Sequence, residues 1–218
     1  MKNPLSPPWS RRLLAVSAAL LFAMPLHAMP DEQFLPAFEQ FMQASQGDEH
    51  AIEPAASAFA ALLKVEPANP VLMAYAGSST TLKATATWLP WKKMSYAEDG
   101  MAQLDKALAL LTPAHNTPLQ RGVAPVLEVR LVAANTFLAV PGFMNKGARG
   151  AKLLNEVLTS PLLAAAPPEF RAAVWLAGAK QAVKDKRLDD ARHYLNEVIK
   201  ANAPQADAAR AQLKALAS

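Results

Sequence analysis

The chain has 218 residues and a formal net charge of +4, with 52% hydrophobic residues, only 8 glycines and no cysteine. That length suffices for one domain with a sizeable core, and the missing cysteines exclude disulfides and thiolate metal sites. An alanine-rich, glycine-poor composition favours helix over strand.

Lys2, Arg11 and Arg12 form a positive leader, followed by an uncharged apolar run of twelve residues from Leu13 to Met24. Twelve residues are too few to cross a bilayer, and the run stops at Pro25. Residues 1–28 are therefore expected to be a signal peptide cut near Ala28. Leu26 is not the small residue preferred before a cut, so the cleavage site stays open. Ser10-Arg11-Arg12-Leu13-Leu14 partly resembles a twin-arginine signal. An ordinary secretory leader is preferred, because no cofactor site follows. Residues 29–218 are then expected to be a single periplasmic domain, soluble and without a stable membrane span. Processing would remove three basic residues and leave a net charge of +1, which gives a nucleic-acid role little support. The charge is polarised: seven acids and one lysine between Met29 and Pro67, five basic residues and three acids between Lys180 and Arg192.

Asp31 and Glu32 suit a helix start, and Pro36 is placed in the first turn. Phe34, Phe38 and Phe41 share one face, and Gly47 ends this helix. A second helix is expected from Ile52 to Val65, with Ala55, Phe59, Leu62 and Leu63 inward. Pro67-Ala68-Asn69-Pro70 breaks the chain, and a third helix runs from Val71 to Thr87 with Leu72, Tyr75, Ala76 and Gly77. The insert Trp88-Leu89-Pro90-Trp91-Lys92-Lys93-Met94 follows. A helix from Ala97 to Leu111 comes next, then a loop from Pro113 to Pro118. A helical stretch from Leu119 to Ala139 is expected to kink or restart at Pro125. Gly147-Ala148-Arg149-Gly150 should free a turn before a helix over 151–159. A regular hairpin spans Pro168 to Pro204 around Lys184-Asp185-Lys186-Arg187-Leu188, and Gln205 to Leu216 reads as a capping helix. The tetrad Leu154-Asn155-Glu156-Val157 recurs as Leu195-Asn196-Glu197-Val198.

Ala55, Phe59, Pro67 and Gly77 follow the spacing of a tetratricopeptide repeat, in which a small residue lets two helices approach closely. Four prolines, Pro67, Pro113, Pro161 and Pro204, end helices at intervals of 46, 48 and 43 residues. These exceed the repeat's usual length of about 34. The reading is an all-α, right-handed α-solenoid of degenerate tetratricopeptide-like (TPR-like) hairpins, each stabilised by its neighbours. The chain also resembles a group of uncharacterised periplasmic tetratricopeptide-like proteins of bacteria. The residues concerned are Tyr75-Ala76-Gly77, the insert, Gly100 with Leu104-Asp105-Lys106-Ala107-Leu108, Arg130-Leu131 and Pro141-Gly142-Phe143. That resemblance implies a periplasmic helical-repeat fold and brings no established activity.

No motif for enzyme chemistry stands out. His50, His115 and His193 have no metal-ligand spacing. His193 is expected to pair with Asp189, four residues earlier, and His115 to sit in an exposed loop. Gly77-Ser78-Ser79-Thr80-Thr81 lacks the Gly-Lys-Ser/Thr ending of a phosphate loop and reads as helix packing. A wall-acting hydrolase would need Glu128 to meet a distant acid, which nothing favours.

Two features are candidates for binding. Trp88, Trp91, Lys92 and Tyr96 combine aromatic area with positive charge, as binding hot spots do. The competing and favoured reading is that both tryptophans fill a gap where Pro90 distorts the repeat. Arg130 lies on a helix with Val126, Leu127, Leu131 and Val132. It is either exposed or lines a groove with a partner distant in sequence. The expected function is a non-enzymatic protein–protein interaction module, a scaffold or adaptor for a protein or peptide of the cell envelope, with no cofactor and no metal. The alternative is a small-ligand protein for a lipid, amphiphile or glycan, with the tryptophans and Arg130 lining a cleft between hairpins.

Overall fold

The computed structural model describes residues 29–216, and the expected leader over 1–28 lies outside them. Among the described residues the chain is all-α, with nine α-helices and no strand. They are α1 (Asp31–Ser45), α2 (Glu49–Val65), α3 (Pro70–Ala86), α4 (Pro90–Ala109), α5 (Pro125–Ala139), α6 (Gly147–Leu158), α7 (Pro168–Lys184), α8 (Leu188–Lys200) and α9 (Ala206–Ala215). Among these residues no helix is long and apolar enough to cross a membrane.

Prolines and short polar caps set the boundaries. Asp48 accepts from the His50 backbone N–H at 2.9 Å and starts α2 three residues earlier than its apolar pattern begins. Asn69 caps α3 by accepting from Val71 and Leu72, with Pro70 next to it as the first helical residue. Pro90 opens α4 in the same way, so α4 begins seven residues before Ala97. A proline at that position lacks only an N–H that would be unbonded anyway. Pro125 likewise starts α5 afresh. Two expectations fail at the other starts. Pro36 sits in the second turn of α1, because the helix begins at Asp31. Gly147 to Gly150 is the first turn of α6 rather than a turn before it.

Consecutive helices pack against one another, and α3 also touches α1 and α5. Phe34 and Phe41 of α1, Phe59 of α2 and Tyr75 of α3 form an aromatic cluster, with Phe41 and Phe59 both 4.9 Å from the Tyr75 ring. At the α3–α4 crossing a Cβ on Gly100 would lie 2.2 Å from Thr81 Oγ1 and 2.4 Å from the Gly77 carbonyl. Only glycine permits that approach, and Gly77 does serve as the small residue of a close helix pair.

The buried side chains fall into two clusters. The larger runs from α1 to α7; the smaller, around Ala172, Ala179, Leu195, Val198, Ala203 and Ala209, ties α7 to α8 and α9. The repeated tetrad plays the same part in both. Leu154 and Val157 are buried in the first cluster, Leu195 and Val198 in the second.

Candidate functional site

A groove of about 1120 Å3 runs along one side of the molecule. All five odd-numbered helices contribute: Phe38 and Phe41 from α1, Leu82 from α3, Leu131 and Val132 from α5, Leu176 from α7 and Leu216 at the end of α9. The lining is largely aliphatic and aromatic. Asn135 is exposed at its middle, and Lys180 and Lys184 lie along α7.

One polar cluster interrupts this lining. Glu128, one turn into α5, is 1% exposed. Its Oε1 accepts from the Tyr75 hydroxyl at 2.7 Å and from Arg121 Nη2, while Arg121 Nη2 also reaches the Tyr75 oxygen at 3.5 Å. The Arg121 guanidinium lies 3.9 Å from the Phe38 ring centre. Arg121 reaches this position through a left-handed backbone (φ 53°) in the short turn Gln120–Gly122, followed by Gly122 at φ 71°. A non-glycine residue there costs about 1 kcal/mol or more, so the ion pair offsets local strain.

Electrostatics follow from burial. Desolvation raises the Glu128 carboxyl above the usual range, and the opposing pull of Arg121 and Tyr75 only partly reverses it. Burial and the neighbouring Glu128 push the Tyr75 phenol well above its ordinary value. For Arg121 burial works against the charge, but Tyr75 and Glu128 outweigh it and the guanidinium stays protonated. Both donors converge on Oε1, and Oε2 of Glu128, Nε of Arg121 and Nε2 of Gln120 are buried with no partner among the described residues. This leaves a charge-paired cluster beside an apolar channel, with its unpartnered atoms turned away from solvent.

The residues singled out from sequence lie elsewhere. Trp88 is 82% and Trp91 67% exposed at the tip of the α3–α4 hairpin, so they do not fill a gap in the core. Pro90 does not distort a helix there; it begins one, and the indoles project from the bend. Lys92 is exposed beside them. Tyr96, one turn on, is half-buried beneath Lys83 Nζ at 4.9 Å and lines a small recess of about 160 Å3 with Glu53. Arg130 fits neither alternative fully: it is half-buried and pairs with a residue distant in sequence, Glu156 of α6, at 3.2 Å. None of these five residues lines the large groove.

Both histidine expectations are overturned. His115 is buried, and its Nδ1 accepts from the Thr112 backbone at 2.9 Å, which closes the turn Pro113–Asn116. Asp189 pairs with Arg192 at 2.9 Å rather than with His193. The distant group that meets Glu128 is an arginine and a phenol, not a second acid. Ser78 donates to or accepts from Thr136 at 2.8 Å between α3 and α5, which gives the 77–81 stretch the packing role expected of it. Among the described residues no group of three or more His, Asp or Glu could hold a metal ion.

Sequence reasoning missed Arg121 and Tyr75. The signal was Glu128 itself, an acid inside Val126-Leu127-Glu128-Val129. A carboxylate on a wholly apolar face must find a cation, and Arg121 is the nearest one on the chain before it.

No family model, curated protein or solved structure matches the chain.

Proposed function

We propose that the protein is a non-enzymatic, periplasmic TPR-like interaction module. The nine α-helices of the described residues form a right-handed α-solenoid, and its groove takes a peptide segment of a cell-envelope protein. The observation that carries this reading is the groove, continuous across all five odd-numbered helices. Stacked hairpins leave such an extended surface along one row of helices. At about 1120 Å3 the groove exceeds the usual size of a drug-sized pocket, roughly 300–1000 Å3, which favours an extended chain over a compact ligand. The Glu128–Arg121–Tyr75 cluster fits the same occupant: its charges are already paired, and a peptide unit adds no charge beside a desolvated site.

A photo-crosslinking residue at position 135 tests the proposal in the periplasm of the expressing cell. The expected product is a set of adducts whose attached mass is peptide, reduced by excess wild-type protein as competitor but not by an Asn135→Trp copy whose channel is filled. Adducts to lipid or glycan only would favour the small-ligand alternative, for which the apolar lining is the supporting observation. A protein that folds normally and gives no adduct at position 135 overturns both readings.

A further inference from the structure

We propose that the tip of the α3–α4 hairpin is a docking point for an anionic lipid surface. The tip is a convex projection rather than a cleft. From Thr85 to Ser95 only Thr87 and Leu89 are half-buried; every other residue is exposed. Trp88 and Trp91 show 82% and 67% of their surface to solvent, and Met94 shows 38%. Two indoles in water are unusual for side chains that dominate buried cores and interfaces. Their amphipathic rings, apolar with one N–H, suit the boundary between lipid headgroups and acyl chains.

Charge selects the kind of surface. Residues 85–95 hold Lys92 and Lys93 and no acidic residue. Both lysines are exposed, and among the described residues neither is paired with a carboxylate. The nearby Lys83, by contrast, is engaged with Glu53 at 2.9 Å. Two free ammonium groups flanking two indoles complement anionic headgroups, with the rings entering the interface and the lysines at phosphate level. The tip is also rigidly mounted. The glycine-to-glycine crossing at Gly77 and Gly100 locks the two helices below it, so little ordering is lost on contact. The contact is adsorption, since no described helix is long and apolar enough to cross a membrane. It does not depend on what the groove binds.

The test is flotation of the protein, purified after export with its N-terminus verified by mass, with two kinds of vesicle. One is phosphatidylcholine alone; the other contains phosphatidylglycerol as well. The expected result is binding to the anionic vesicles that weakens as salt is raised. Trp88→Ala with Trp91→Ala should lower the partition more than about tenfold, and Lys92→Gln or Lys93→Gln about fivefold each. Helical circular dichroism should be unchanged in all variants, because the side chains removed are exposed. Equal flotation of wild type and the double tryptophan variant overturns the proposal. So does the absence of flotation by either, which would leave the tip to a protein partner.

Discussion

At the groove wall a carboxylate, a guanidinium and a phenol are desolvated and satisfied largely by one another, whereas at the α3–α4 tip two indoles and two ammonium groups stand in water. Glu128 is 1% exposed and Trp88 82%. Residue type alone would reverse the two. The difference lies in how many elements surround each site. Glu128 sits on α5, which packs against α3, α4 and α6, while the tip extends past the crossing at Gly100 and leaves Trp88 and Trp91 exposed. Polar groups at the first site are held by neighbours; apolar groups at the second are left for an external surface.

That contrast is broken most directly by removing the buried carboxylate. Glu128→Ala leaves Arg121 without its counter-charge and should destabilise the fold by about 3 kcal/mol, measured by denaturant unfolding. The low end of the usual range applies because the Arg121 side chain is 22% exposed. A smaller and sign-specific effect concerns pH. The Glu128 carboxyl titrates higher in the folded chain than in the unfolded one, because burial disfavours its charge. Its favourable contribution is therefore fully present at low pH and is lost as pH rises from the ordinary carboxylate range through its folded value. The stability advantage of wild type over Glu128→Gln should shrink across that rise in paired thermal melts; an advantage that grows instead would show that Arg121 overrides burial. The smallest expected change is at the tip. Trp88→Ala with Trp91→Ala should alter unfolding free energy by no more than about 0.5 kcal/mol, as exposed positions do. A loss of several kcal/mol would mean that the indoles belong to the core after all.

Much of the fold was legible because helix boundaries here are written in local chemistry. Pro125 restarts a helix, and Pro67, Pro113, Pro161 and Pro204 all fall in connections. The repeated tetrad marks equivalent packing positions, with Leu154 and Val157 matching Leu195 and Val198. Its third residue is used differently in each copy: Glu156 reaches across to Arg130, whereas Glu197 binds Lys200 three residues on. The site was less legible because its geometry depends on a turn that composition does not announce. Arg121 adopts a left-handed backbone that its residue type disfavours, and only the three-dimensional approach of α3 to α5 explains why. The tryptophans were misjudged for the opposite reason. Their type predicts burial, and the projection of one hairpin past its neighbours overrides that prediction.

The division of the buried side chains into a large cluster and a small one has a consequence for access. The groove's far wall includes Gln212 and Leu216, carried by α9, which packs on the small cluster and whose Leu216 carbonyl accepts from Arg192 of α8 at 3.3 Å. Four of the six buried residues of that cluster are alanines, which bury little surface each. Segments with few buried apolar contacts are the first to open, and they do so without melting the rest. The two ends of the channel are therefore unequally secured: amides of α9 should exchange with solvent sooner than those of the aromatic cluster of α1 to α3 or the Glu128 contact.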